Sequence, residues 1–389
     1  MVIADFLERT AGVYKRFSQI KLELVQAGRE VLDLSMINTD LPPPRVLIDK
    51  LVEASIRPNN HRYSASRGIR KIRSDFAAKY RRDFQVDLDP DSEICVALGT
   101  KDGLNCFLAV ASQPGESILL ARPFYPMHCS TALLHKLRPV FYDIGGSEAE
   151  TIANIERSLN SEKVSLAITS FPGNPISFQF SPKFVGEVAK ILTSRGIKVF
   201  NDFTYASMTF NGASTASMLA YSRSGVIESF SLSKSFSIAG WRIAALLGDQ
   251  ELAQKIADYK SLVDYGNFTP LQVAASYALS PQLDKFPQET SGIYKRRGDV
   301  LKELLLRCGF EVSPFAAGCS LWAKFPTGID STAFAERLLS EFEIHISPGE
   351  LYGDSERCYG RFALVHSEQK LMRLEGALQV LLTEHDRAV

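Results

Sequence analysis

Between about residues 90 and 250, short apolar runs alternate with helix-length stretches, the pattern of an α/β domain wound around a largely parallel sheet. The runs that read as strands are Glu93–Leu98, Ser117–Ala121, Pro139–Asp143, Ser165–Thr169, Lys198–Asn201, Val226–Ser231 and Ile243–Gly248. Several end in polar residues with chemical capability, and in open α/β sheets ligands gather beyond the carboxyl ends of the strands. After Pro281 the pattern changes to a long charged helix around Tyr294–Leu305, a strand-like Cys319–Phe325, a helix near Ser331–Phe342 and a closing helix from Glu368. This predicts a large domain over residues 46–280 and a smaller C-terminal domain over 281–389, joined by the N-terminal segment 1–45. No internal repeat or low-complexity tract interrupts it.

The length, 389 residues, favours two packed lobes over one core. The composition is ordinary for a globular chain, 45% hydrophobic and 23% charged, and 44 basic side chains balance 44 acidic ones. That balance gives no reason to expect a nucleic-acid partner. Apolar runs such as Ser117–Ala121 and Ile243–Leu247 fall far short of the ~20 residues that span a bilayer. The first residues lack the charged-then-apolar order of a secretory signal, so the expectation is a cytoplasmic protein with no membrane partner. Six scattered cysteines with no Cys-x-x-Cys spacing point to buried, reduced thiols and to no metal site.

The candidate chemistry lies at the strand ends. Ser231-Leu-Ser-Lys234 continues to Arg242, so a hydroxyl three residues before the lysine and a guanidinium eight after it can converge on one phosphate. A lysine among serines and small residues suits a desolvated, nucleophilic amine; a solvated lysine in a Ser-rich turn is the plainer reading. Asp202, just beyond Lys198–Asn201, sits among apolar residues and calls for a cationic partner such as a protonated ring nitrogen, or else caps a following helix. Gly99-Thr100-Lys101 joins a strand to a helical stretch, where free N–H groups can cradle a phosphate. Tyr125 offers a flat ring for stacking, Asn174 a donor in a Pro-rich turn, and Arg361, opening an apolar strand, a fork for a carboxylate. Each of these three is equally at home as packing, turn or strand-start.

Taken in order, these elements resemble the class I/II aminotransferases of pyridoxal 5'-phosphate (PLP) fold type I, over nearly the whole chain. His61–Gly68, Leu98–Gly103 and Asp264–Val273 look most similar to the branch of bacterial alanine and LL-diaminopimelate aminotransferases. The resemblance implies an aspartate aminotransferase-like α/β fold: a mostly parallel seven-stranded sheet in the large domain and a smaller α+β domain. It implies PLP as cofactor, with Lys234 as the Schiff-base lysine and proton shuttle and Asp202 against the pyridine nitrogen. Asn174 and Tyr205 would face the phenolic oxygen and Tyr125 would stack on the ring. Thr100, Lys101, Ser231 and Arg242 would hold the phosphate, and Tyr63 would reach it from the other subunit of a homodimer. Arg361 would bind the substrate α-carboxylate. Two positions depart from the pattern: Ile37 stands at a usual glycine beside the substrate, and Ser320 at a usual aromatic bordering the pocket. The implied activity is transamination of an L-amino acid with a 2-oxo acid; elimination, replacement or cyclisation on the same scaffold is the alternative those departures raise.

Overall fold

The computed structural model describes residues 3–210 and 215–388. The chain opens with a long helix, α1 (Ile3–Gln26), whose Val13, Phe17, Ile20 and Leu24 recur at helical spacing and pack into one of the hydrophobic cores. The two-residue strand β1 (Leu32–Asp33) and helices α2 (Arg45–Ser55) and α3 (Arg70–Phe84) lead to the main sheet. Its strands are β2 (Ile94–Ala97), β3 (Ser117–Arg122), β4 (Arg138–Asp143), β5 (Leu166–Thr169), β6 (Lys198–Asp202), β7 (Val226–Ser231) and β8 (Ala244–Gly248).

All seven expected apolar runs are strands, with ends displaced by no more than one residue. They lie in the order β2-β8-β7-β6-β5-β3-β4. Pairing is parallel from β4 across to β7, and β8 runs antiparallel between β7 and β2. Helices cover both faces. One core joins the sheet to α3 through Ile72, Phe76 and Tyr80. The other lies under α4 (Thr100–Ala111) and α5 (Pro126–Leu134), where Phe107 meets Phe200 and Leu246. Burial on both faces is why these strands are apolar throughout instead of alternating.

The C-terminal part carries β9 (Glu311–Val312), β10 (Ser320–Lys324), β11 (Ile344–His345), β12 (Ser347–Pro348) and β13 (Tyr359–Ala363). Four of these form an antiparallel sheet in the order β12-β13-β10-β9, backed by helices Lys285–Arg307, Ser331–Phe342 and Arg373–Ala388. The first is longer at both ends than the segment anticipated. Strand β1 pairs in parallel with β11, which fastens the N-terminal segment to this lobe. Among the described residues, no helix is long and apolar enough to cross a membrane. The cysteines are free, and all but Cys358 are buried.

Candidate active site

A cavity of about 570 Å³ opens beyond the carboxyl ends of β5, β6 and β7, between the main sheet and the C-terminal lobe. Its wall brings together Thr100, Lys101, Tyr125, Asn174, Asp202, Tyr205, Ser231, Lys234, Arg242 and Arg361, with Ile37 from the N-terminal segment. Every candidate from the sequence is therefore present except Tyr63. That ring is 85% exposed, against Tyr265 at 4.5 Å between centroids.

At one end, Gly99 precedes α4 with φ at +84°, a conformation open to glycine, and no side chain caps the helix. A Cβ there would overlap the guanidinium of Arg242. Arg242 itself has φ at +55°, in the left-handed region that is strained for a non-glycine residue. From there its Nη2 donates to the carbonyl of Leu98 (3.2 Å), so the guanidinium overhangs the open N-terminus of α4. Thr100, Lys101, Ser231 and Arg242 thus bring donors to the wall of the cavity into which this helix start opens.

Asp202 ends β6 and is buried. It caps no helix: a turn follows, and its carboxylate accepts from the Thr204 N–H (3.2 Å), the Thr204 hydroxyl (2.6 Å) and His128 Nε2 (3.0 Å). Thr204 also meets Thr100, whose hydroxyl accepts from Ser229, each at 3.1 Å. His128 lies on α5, three residues after Tyr125, and meets that ring edge-on at 5.4 Å. His128 and Thr204 went unread in the sequence. For the histidine, the i, i+3 spacing from Tyr125 at a helix start was the available signal.

Lys234 faces the cavity, and its Nζ donates to the Ile37 carbonyl. Burial lowers its pKa, and the positive charges of Arg361 and Arg242 push the same way, against the opposing influence of Cys319. That favours a neutral, nucleophilic amine. Arg361 is 5% exposed on β13; Nη1 donates to Asn174 Oδ1 (3.2 Å), Nη2 to the Ser35 carbonyl, and Nε is buried with no partner among the described residues.

The departures resolve differently from expectation. Ile37 turns its carbonyl to Lys234 and packs its side chain toward the core of the C-terminal lobe. Ser320 does not border the cavity: it is buried in β10, and its carbonyl accepts from the Ser177 hydroxyl (3.3 Å). Alternation along β10 puts Ser320 on the face of Trp322, whose cross-strand partner is Arg361, while Leu321 and Ala323 take the face that packs into the core of the lobe.

Helix α1 adds a wall that the sequence reading left blank, contributing Tyr14, Phe17, Ser18 and Lys21. Lys21 pairs with Asp33 at 2.5 Å, and Asp33 accepts from the N–H and hydroxyl of Ser35 (2.9 and 2.6 Å). Burial opposes ionisation of Asp33, but those bonds hold its carboxyl down at about 2. Phe17 stacks on His345 at 5.1 Å, where burial pushes the imidazole down to about 4 and keeps it neutral near pH 7.

The profile for aminotransferase class I and II matches residues 29–378. The chain belongs to this family. It is 32% identical to the glutamate-pyruvate aminotransferase AlaC of Escherichia coli (strain K12), over 92% of this chain and 88% of that one. It is 30% identical to an LL-diaminopimelate aminotransferase of Natranaerobius thermophilus, over 88% and 90%. A solved aminotransferase from Staphylococcus aureus superposes with a TM-score of 0.83 at 27% identity, covering 91% of this chain and 94% of that one. The fold is therefore the fold type I expected, and the chain is an aminotransferase; the elimination and cyclisation alternative is not favoured. The family implies PLP as cofactor. The donor set fits such a group: with Lys21 paired to Asp33, the wall presents Lys101, Lys234, Arg242 and Arg361 against one carboxylate, Asp202. A phosphate and an amino-acid carboxylate together match that excess of positive charge.

Proposed function

We propose that this PLP-dependent aminotransferase passes the α-amino group of an L-amino acid to a 2-oxo acid from the cavity built around Lys234, Asp202 and Arg361. The observation that carries the proposal is their convergence: a lysine with a lowered pKa, a buried strand-end carboxylate and an arginine whose buried Nε has no partner among the described residues line one cavity. When bound there, PLP supplies an aldehyde and an electron-withdrawing ring that together make the substrate α-proton removable.

The residues divide the remaining work. Thr100, Lys101, Ser231 and Arg242 would hold the phosphate, Asn174 and Tyr205 the phenolic oxygen, and Tyr125 the ring face. Asp202, fixed by His128 and Thr204, would keep a proton on the ring nitrogen. Lys234 would supply the attaching amine and then carry the proton away from the substrate α-carbon. Arg361 orients the substrate, its fork grasping the α-carboxylate that displaces the Ser35 carbonyl or joins Asn174.

The same reading takes 46–280 as the cofactor domain and 281–389, with 1–45, as the smaller one. It also takes the active unit as a cytoplasmic homodimer. Supporting the dimer, Ile56, Tyr63, Leu262 and Tyr265 are exposed apolar side chains at 75%, 85%, 87% and 61%. Tyr63 would then complete the phosphate cup of a second copy, beside the Asn267–Thr269 segment. In the test, Arg361→Gln is expected to raise KM for the amino acid at least ~30-fold, as loss of a charge-assisted bidentate contact does, while bound PLP is retained. Unchanged KM would remove Arg361 from the substrate.

A further inference from the structure

Glu228, in the middle of β7, has no exposed surface and plays no part in the mechanism above. Its carboxylate accepts four hydrogen bonds: the Tyr80 hydroxyl (2.8 Å) and Ser217 hydroxyl (2.7 Å) reach Oε1, and Asn201 Nδ2 (2.7 Å) and the Met218 N–H (3.0 Å) reach Oε2. All four partners are neutral donors, with no cation among them. A buried carboxylate without a counter-charge is expensive to keep, and an apolar side chain of similar size generally costs a fold nothing. Its presence therefore asks for a purpose beyond stability.

The sheet register supplies one. Thr169, Asn201 and Glu228 are directly opposite one another on β5, β6 and β7. Their side chains form a lateral ladder: the Thr169 hydroxyl donates to Asn201 Oδ1 (2.9 Å), and Asn201 Nδ2 donates to Glu228. The next row is Asp202 opposite Ser229. There the Ser229 hydroxyl reaches Thr100 and Thr204 reaches Asp202, the chain of hydroxyls that steadies the carboxylate in the cavity. Glu228 also anchors this row to α3 through Tyr80 and to the segment entering β7 through Ser217 and Met218.

We propose that Glu228 is a positioning residue for the reaction: through Asn201 it locks the ends of β5, β6 and β7 in register and so fixes where Asp202 points. The proposal rests on the role given to Asp202 above. Glu228→Gln keeps the shape but turns one acceptor into a donor that faces other donors. In the holoenzyme, this variant is expected to lose ~10-fold in kcat, the scale of one mispaired buried group, with KM within about 2-fold of the wild type. Tyr80→Phe, which deletes a single donor, is expected to lose ~3-fold, and it carries the test if Glu228→Gln does not fold.

The deciding readout is a double-mutant cycle with Asp202→Asn. A residue that acts through Asp202 costs nothing more once that carboxylate is gone, whereas general loosening of the sheet multiplies with it. Losses that fail to multiply support the proposal. Native kcat in both Glu228→Gln and Tyr80→Phe, or losses that multiply fully, overturns it while leaving the Asp202 reading intact. Native kcat in Asp202→Asn alone overturns both.

Discussion

Lys234→Ala is expected to turn over at least ~10³-fold more slowly than the wild type, because one side chain is asked both to attach the cofactor and to move the substrate proton. The structure gives physical grounds for both duties. Burial together with the nearby guanidinium groups of Arg361 and Arg242 lowers the lysine pKa, so the free amine is within reach near neutral pH. Among the described residues Nζ donates to the Ile37 carbonyl, an acceptor that steers the amine without neutralising it through an ion pair. Borohydride treatment of the wild-type holoenzyme should fix the cofactor covalently to the peptide carrying Lys234. Lys234→Ala should yield no labelled peptide while still retaining some cofactor through the phosphate donors. Label recovered on another lysine, or near-native turnover in Lys234→Ala, would show that the attachment point has been misassigned.

The second large effect is expected at Asp202. Asp202→Asn should lower kcat at least ~10²-fold with KM little changed, since the interaction lost is with charge that matters only as the α-proton departs. The substitution is nearly isosteric, so Thr204 and His128 keep a partner and the fold should persist. What disappears is the negative charge that would hold a proton on the ring nitrogen. His128→Asn should show a smaller fall, because it only removes one of three donors that orient the carboxylate. Near-native kcat in Asp202→Asn would return Asp202 to a purely structural part.

Much of this was legible in the sequence because the informative features are local. Strands buried on both faces announce themselves as continuous apolar runs, and Thr100, Tyr125, Asp202, Ser231 and Lys234 sit at or just after one of their carboxyl ends, whereas Arg242 lies just before β8. What stayed hidden depends on contacts between distant segments. His128 meets Asp202 across 74 positions, and Tyr80 meets Glu228 across 148. The spacing of His128 from Tyr125 signals a shared helix face, but not the partner across the fold.

Helix α1 is a different case. Its Val13, Phe17, Ile20 and Leu24 spacing was visible, but only its fold against the C-terminal lobe shows that Tyr14, Ser18 and Lys21 line the cavity. Ser320 shows the opposite error. Position alone suggested the pocket wall; Ser320 shares a face with Trp322 but is buried and does not line the cavity.

Transfer of the amino group is told apart from breakdown of the substrate side chain by a half-reaction with holoenzyme in excess over one amino acid and no oxo acid added. One equivalent of the matching 2-oxo acid is expected, with the amino group kept on the enzyme until a second 2-oxo acid is supplied and leaves as its amino acid. An unsaturated, cyclised or substituted product, formed with the enzyme ready for another round without any second substrate, would contradict it.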